Sequence, residues 1–248
     1  MPNKSKNKKK KSATSKIGCV FFRLTKKMIL FLGSIFLIML ILALTPAPFY
    51  MHRALGTDPN FTKNDDFVPE YLVMLGGGGM PSEDNLMRLY YIGQFADFYQ
   101  IPILIIHPAD SACQVKMTDF LTSNSILKEN ISFLIEGTNT RSQVLACKKN
   151  YPEMLDAKLL IITSPEHITR SIKCFNKTGF SQVRGQAAFD ATVDFNLSLK
   201  NLKLDGNKLF PEIESKKIRY TFWNYFKLEI TCFREYAALG YYKIKGWI

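Results

Sequence analysis

The sequence predicts an α/β fold: a mostly parallel sheet with helices on both faces, preceded by one transmembrane helix. Three observations carry that prediction. Short apolar, β-branched runs recur along the chain and alternate with longer runs of helical period. Each apolar run ends on turn or cap residues that open a helix, giving repeated strand–loop–helix units. Near the start, an uncharged apolar stretch follows a lead crowded with lysine.

The lead, residues 1–27, holds ten Lys or Arg and no acid, from Lys4 to Lys27. It reads as a basic cytoplasmic tail. Its KNKKKK run at residues 6–11 either touches anionic headgroups, at about 1 kcal/mol per basic residue, or stays solvated. Residues 28–44 carry no charge, and with Thr45 to Tyr50 they reach about 30 Å as a helix, enough to cross a bilayer core. Residues 28–50 are therefore assigned as a transmembrane anchor. The positive-inside rule puts the N-terminus in the cytoplasm and the C-terminal part across the membrane. A cleaved signal peptide is the rival reading. The long polar lead and the lack of a clear A-x-A site at Thr45-Pro46-Ala47-Pro48 favour the anchor.

The net charge of +12 is mostly this topology signal, since 23 basic face 21 acidic side chains beyond residue 27. No nucleic-acid partner is implied; the expected partner is the lipid bilayer. Residues 51–69, rich in Pro, Asp, Asn and Thr, read as a linker. Residues 70–248 are long enough for one domain with a sizeable core.

Within that domain Tyr71 to Leu75 reads as a strand, Gly76 to Gly79 as its loop, and Ser82 as the cap of a helix carrying Leu86, Leu89, Tyr90 and Gly93. The glycines allow close backbone approach to a ligand, but no Gly-Lys-Ser/Thr follows and no clean G-x-G-x-x-G is present. Ile103 to Ile106 forms a second strand ending in His107-Pro108. Ile131 to Ile135 forms a third, followed by Glu136, a Gly137-Thr138-Asn139 turn, and a helix in which Thr140 and Gln143 fit a capping box. Leu159 to Ile162 is a buried strand that stops at Thr163-Ser164-Pro165, with Ser164 as N-cap and Pro165 at the first helical position. Residues 186–216 are polar and weakly periodic, as for a long excursion over the sheet. From Ile218 to Tyr242 a C-terminal amphipathic helix is expected, packed on the domain rather than lying on the bilayer.

Candidate chemistry gathers at the strand ends, where open α/β sheets bind ligands. His167 is the candidate acid or base, since imidazole titrates near neutrality. Arg170 offers a bidentate grip for phosphate or carboxylate, or an ion pair with Glu166 four residues earlier. Glu136 is a candidate base or hydroxyl ligand. Gly76, Gly77, Gly78 and Gly79 line the pocket floor, and Asn139, Thr140 and Ser164 are helix-start residues that also contact ligand. Arg88 points either to this mouth or to solvent. Nothing calls for a cofactor, and His167, His107 and Glu136 are too dispersed for a metal site. The five cysteines lack C-x-x-C spacing, so buried thiols and bridges both remain open for Cys113, Cys147, Cys174 and Cys232.

The ordered set of a Gly-rich loop, Glu136 with Asn139-Thr140, and Thr163-Ser164-x-x-His167-x-x-Arg170 resembles the YdcF/SanA/ElyC-like family of bacterial proteins. The ending, Arg234-Glu235-Tyr236 and Tyr241 through Ile248, resembles that of its membrane-anchored members. The chain departs from the family pattern in two places. Ser142 and Gln143 stand where members carry Glu-Asn, and His107-Pro108-Ala109 stands where they carry Ser-Gly-Gly. The resemblance implies a Rossmann-like domain and, for anchored members, a role in envelope or peptidoglycan precursor metabolism in the bacterial inner membrane. The ligand expected on that basis is anionic, a polyprenyl-phosphate-linked or peptidoglycan precursor. Either phosphoester hydrolysis or transfer, or a non-catalytic binding or assembly role, fits it.

Overall fold

A computed structural model describes residues 5–58, 66–108, 110–190 and 221–248. Helix α1 runs Ser5–Leu42, and within it Phe22–Leu42, with a mean hydropathy of 2.0, is long and apolar enough to cross a membrane. Pro46 bars its continuation. Thr45 closes the last turn by donating from its hydroxyl to Leu42 O at 2.7 Å, and the chain restarts as α2, Ala47–Leu55. The assigned anchor is thus two helices rather than one rod to residue 50. The chain forms two compact units, the smaller containing α1, with boundaries between Pro48 and Phe49 and between Lys227 and Leu228 among the described residues.

The larger unit is the α/β domain. Its elements alternate as β1 (Tyr71–Leu75), α3 (Glu83–Tyr99), β2 (Ile103–Ile106), α4 (Ser111–Thr122), β3 (Ile131–Leu134), α5 (Thr140–Asn150), β4 (Lys158–Thr163), α6 (Pro165–Thr178) and β5 (Gln182–Ala187). All five strands are parallel, in the order β3-β2-β1-β4-β5. The winding therefore reverses between β1 and β4, where Val73 pairs with Leu104 on one side and Ile161 on the other.

The run of apolar residues in each strand feeds both faces, because successive side chains point oppositely. Val73, Leu75, Ile106, Leu159 and Ile161 pack with Val144 and Cys147 of α5 and Ile168, Ile172 and Phe175 of α6. Leu72, Met74, Ile105, Leu160 and Ile162 pack with Leu89 and Ile92 of α3 and Met117 and Leu121 of α4. Helices on both faces follow directly from that alternation. Ser82 caps α3 as expected, accepting from Asn85 N at 3.3 Å.

The C-terminal helix, α7, spans Phe222–Ile244 and buries Leu228, Glu229, Cys232, Glu235 and Tyr242. The residues after it, Trp247 and Ile248, pack against the α5/α6 side of the core. Most of the polar excursion expected over residues 186–216 lies outside the described residues. Cys113, Cys147 and Cys174 are buried free thiols, and Cys232 is likewise buried. Burial pushes the Cys147 thiol up to about 12 and that of Cys232 to about 11, so both stay protonated and inert.

Candidate functional site

A cavity of about 200 Å³ opens at the carboxyl ends of β1 and β4, where the winding reverses. Gly76 and Gly77 supply its floor, Arg88 one wall, the start of α5 (Thr138 to Thr140, with Gln143) a second, and Thr163, His167 and Arg170 a third. Gly78 and Gly79 stand outside it, exposed to solvent. Gly76 has a steric reason to be glycine, because any Cβ there would collide with the His107 imidazole.

The α5 wall is built by a capping box different from the one the sequence suggests. Asn139, not Thr140, is the N-cap, and its Oδ1 accepts from Ser142 N at 3.0 Å. Ser142 Oγ accepts in return from the backbone N–H groups of Asn139 and Thr138, each at 3.1 Å. Thr140 and Gln143 are thereby freed to face the cavity. Gly137 permits the approach with φ +97°, since a Cβ there would lie 2.5 Å from Gln143 N.

Glu136 is not brought to the cavity. β3 ends at Leu134, one residue short of the expected strand, at the edge of the sheet and two strands from β1. Glu136 is exposed there, with Oε2 3.9 Å from Lys149 Nζ. The connection into α5 carries the chain past Glu136 before it reaches the pocket.

Arg170 is present but already engaged. Its Nε donates to Glu235 Oε1 at 2.5 Å, Nη2 to Glu235 Oε2 at 3.2 Å, and Nη1 to Thr140 Oγ1 at 2.5 Å. Its guanidinium also stacks over the Tyr242 ring, 5.1 Å from the centroid. The anticipated partner Glu166 is held elsewhere, 3.5 Å from His52 Nε2 on α2 and 3.6 Å from Arg234 Nη2. Burial pushes the Glu166 carboxyl up, but the hydrogen bond from His52 and the charge of His167 outweigh it and hold the group at about 2. The Glu235 carboxyl is likewise pushed up by burial and pulled further down by His167 and Arg170.

His167 lines the cavity with a half-open ring. Its Nδ1 lies 3.0 Å from Glu235 Oε2 and 2.8 Å from Arg170 Nη2. These contacts require opposite protonation at Nδ1. The ionised Glu235 carboxylate accepts only, and a lone pair on Nδ1 would face it at 3.0 Å, so we assign the proton to Nδ1, pointing at Glu235. Nε2 is then the basic nitrogen, 3.9 Å from Glu166 Oε1.

Arg88 sits in the opposite situation. It is 3% exposed, and its Nη1 donates to Leu75 O at 2.9 Å and, more weakly, to Asn85 Oδ1 at 3.5 Å. Nε donates to Ser164 Oγ at 3.1 Å, and Nη2 donates to the same oxygen. Ser164 therefore begins α6 without capping it through its side chain, because its hydroxyl serves Arg88. No carboxylate among the described residues forms an ion pair with Arg88. Burial lowers the guanidinium pKa, opposed by the more distant charges of Asp84 and Glu166.

His107 is 2% exposed and supports this floor from beneath. Its Nε2 lies 3.3 Å from Asn85 Nδ2, while Nδ1 has no partner among the described residues. Burial lowers its pKa, which favours a neutral ring that accepts from Asn85 and carries its proton on Nδ1.

Four residues that shape the site escape local sequence reasoning: Arg88 in its orientation, and His52, Glu235 and Tyr242 as members of the site. Arg88 and Glu235 did leave a signal. Arg88 interrupts the buried stripe Asn85, Leu89, Ile92, Ala96 of α3, and Glu235 the stripe Leu228, Cys232, Tyr242 of α7. A charge on the apolar face of a helix requires either a partner or a ligand. No known protein-family profile matches the chain, and no curated protein is detectably similar to it.

Proposed function

We propose that the chain is a single-pass inner-membrane protein whose extracytoplasmic, Rossmann-like domain binds a small anion at the winding reversal between β1 and β4. The observation that carries this reading is Arg88, a buried cation on the pocket wall whose hydrogen-bond partners are all neutral oxygens. Burying an uncompensated charge is strongly unfavourable, and a bound anion removes that penalty. The first turns of α5 and α6 direct their positive dipole ends toward the same place. The cavity volume of about 200 Å³ suits a phosphate with a fragment of the group it esterifies.

The ligand class we favour is a phosphate ester of the cell envelope, a polyprenyl-phosphate carrier or a peptidoglycan precursor. The helix Phe22–Leu42, long and apolar enough to cross a membrane, supports it, as does the resemblance to the YdcF/SanA/ElyC-like family. The chemistry to test first is phosphoester hydrolysis. His167 Nε2 takes a proton from water as its oxygen attacks phosphorus, the bond to the ester oxygen breaks, and the proton passes to the departing alcohol. Arg88 holds the phosphoryl oxygens, and Glu235 holds the His167 ring in the required tautomer.

A non-catalytic binding role is the second reading. It is favoured by the placement of Glu136 outside the pocket and the engagement of Arg170 by Glu235, which leave one acid–base group where two were expected. The readings separate on His167→Ala. An enzyme loses turnover and keeps anion binding, whereas a binding protein changes only in affinity or melting temperature.

The test is a thermal-shift series on the full chain in detergent with inorganic phosphate, sugar nucleotides, isoprenyl phosphates and peptidoglycan fragments. A ligand at a hundred times its Kd adds about 2.7 kcal/mol. The stabilisation is expected to disappear in Arg88→Met. Stabilisation that survives the substitution, or its absence with every anion, overturns the reading.

A further inference from the structure

Helix α7 is amphipathic in an unusual sense, because the face it turns to solvent is rich in aromatic and aliphatic side chains. We propose that this face lies in the headgroup layer of an anionic bilayer and docks the domain on the membrane surface. Beyond Leu228 the helix buries Glu229, Cys232, Glu235 and Tyr242. Ile230 is 48% exposed, Phe233 42%, Tyr241 50% and Ile244 86%. These positions, with the exposed Ala237 between them, recur every three or four residues and form one continuous stripe along the helix. Scattered exposed apolar residues need no explanation, but a stripe of this length on one helix does.

The charges on the helix name the partner. Both of its acids point inward, Glu229 at 0% and Glu235 at 1% exposure. The exposed charges on and just past it, Lys227, Arg234, Lys243 and Lys245, are all basic, with Arg234 also 3.6 Å from the Glu166 carboxylate. A purely basic rim beside an aromatic stripe matches a bilayer with anionic headgroups, where tyrosine and phenylalanine enter the boundary and lysine stems reach outward. The first turns of α7 add a second argument. Phe226 meets Phe36 of the membrane-spanning segment edge to face, 6.4 Å between ring centroids and within one compact unit. Within that unit the first turn of α7 meets the apolar span about 9 Å inside its Leu42 end, and Trp223 is 61% exposed.

The test places nitroxide labels on the full chain reconstituted in phosphatidylcholine vesicles, with and without phosphatidylglycerol. Labels go at Ile230→Cys, Phe233→Cys and Ile244→Cys in a Cys19→Ser background, the four thiols of the globular unit being buried. Phe98→Cys on α3, where the side chain is 78% exposed, is the aqueous reference. With phosphatidylglycerol present, the three α7 labels are expected to relax with lipid-soluble oxygen, and the Phe98 label with a water-soluble nickel chelate. Lys243→Glu combined with Lys245→Glu is expected to weaken the anionic-lipid effect by roughly fivefold per charge removed. Labels on α7 that are as aqueous as the reference in both vesicle types overturn the proposal. So do labels shielded from both relaxants with spin coupling between copies, which assign the face to a second copy of the chain, and labels shielded only when a soluble protein is added.

Discussion

The two arginines beside the pocket occupy opposite electrostatic settings. Arg170 meets a carboxylate through Nε and Nη2, a hydroxyl through Nη1 and an aromatic face across its plane. Arg88, buried at least as deeply, meets only a carbonyl, an amide oxygen and a hydroxyl among the described residues. The first arrangement is a latch that fastens α7 to the starts of α5 and α6, across 65 residues of sequence. The second, on the proposed reading, is a cation held ready for an anion. Proximity to a pocket therefore does not distinguish a ligand-binding charge from a structural one. The presence of a built-in counter-charge does.

Breaking the latch is the largest expected effect. Glu235→Gln removes the counter-charge and leaves Arg170 buried and unpaired, which costs about 3–5 kcal/mol in denaturant unfolding. A loss below about 1 kcal/mol would show that Arg170 is solvated well enough to do without Glu235, and the contrast with Arg88 would collapse.

The second effect is pH-dependent. The folded pKa of Glu166, about 2, lies below the usual 4.5, so the folded chain binds this proton more weakly than the unfolded one. The stabilisation is complete above pH 4.5 and is lost as pH falls toward 2, an integrated difference of about 3 kcal/mol. Glu235 is shifted in the same direction and adds to the slope. Glu166→Gln is expected to flatten the fall in unfolding free energy across that window. An unchanged slope in the variant would mean that other carboxylates carry the acid sensitivity.

Glu229 sharpens the comparison from the acidic side. It is fully buried, neither oxygen has a hydrogen-bond partner among the described residues, and burial raises its pKa. It is the carboxylate counterpart of Arg88 but lies outside the pocket, so Glu229→Met is expected to stabilise the chain at pH 7 by about 1–3 kcal/mol. A loss of stability would reveal a partner for this carboxylate.

The smallest effect is the most telling for the site. Arg88→Met in the absence of ligand is expected to change stability by no more than about 1 kcal/mol, because relief of a buried charge offsets the lost hydrogen bonds. Leu75 O keeps a donor in Thr163 Oγ1 at 3.2 Å. A loss comparable to that of Glu235→Gln would make Arg88 structural.

Much of the fold was legible because strand and helix signals are local. The apolar runs became β1, β2, β3 and β4, Ser82 capped α3, and the Ser164-Pro165 step opened α6 at the carboxyl end of a buried strand. The site was legible only as a location. His167, Arg170, Asn139, Thr140, Gly76 and Gly77 do line one cavity. Their partners were not readable, because they come from α2, before the sheet, and α7, after it, and no local period encodes such a pairing. Glu136 was misplaced for a related reason, since its position depended on where β3 falls in the strand order, and the edge position of β3 carries it away from the pocket.

The most direct test of the anion reading is a crystal of the full chain soaked in tungstate, read by the anomalous signal of the metal. The account predicts a tungstate oxygen at roughly 2.7–3.2 Å from a guanidinium nitrogen of Arg88, with further contacts to the first turn of α5 or α6. A pocket left empty at saturating tungstate, or an anion bound only at other basic groups, would contradict it.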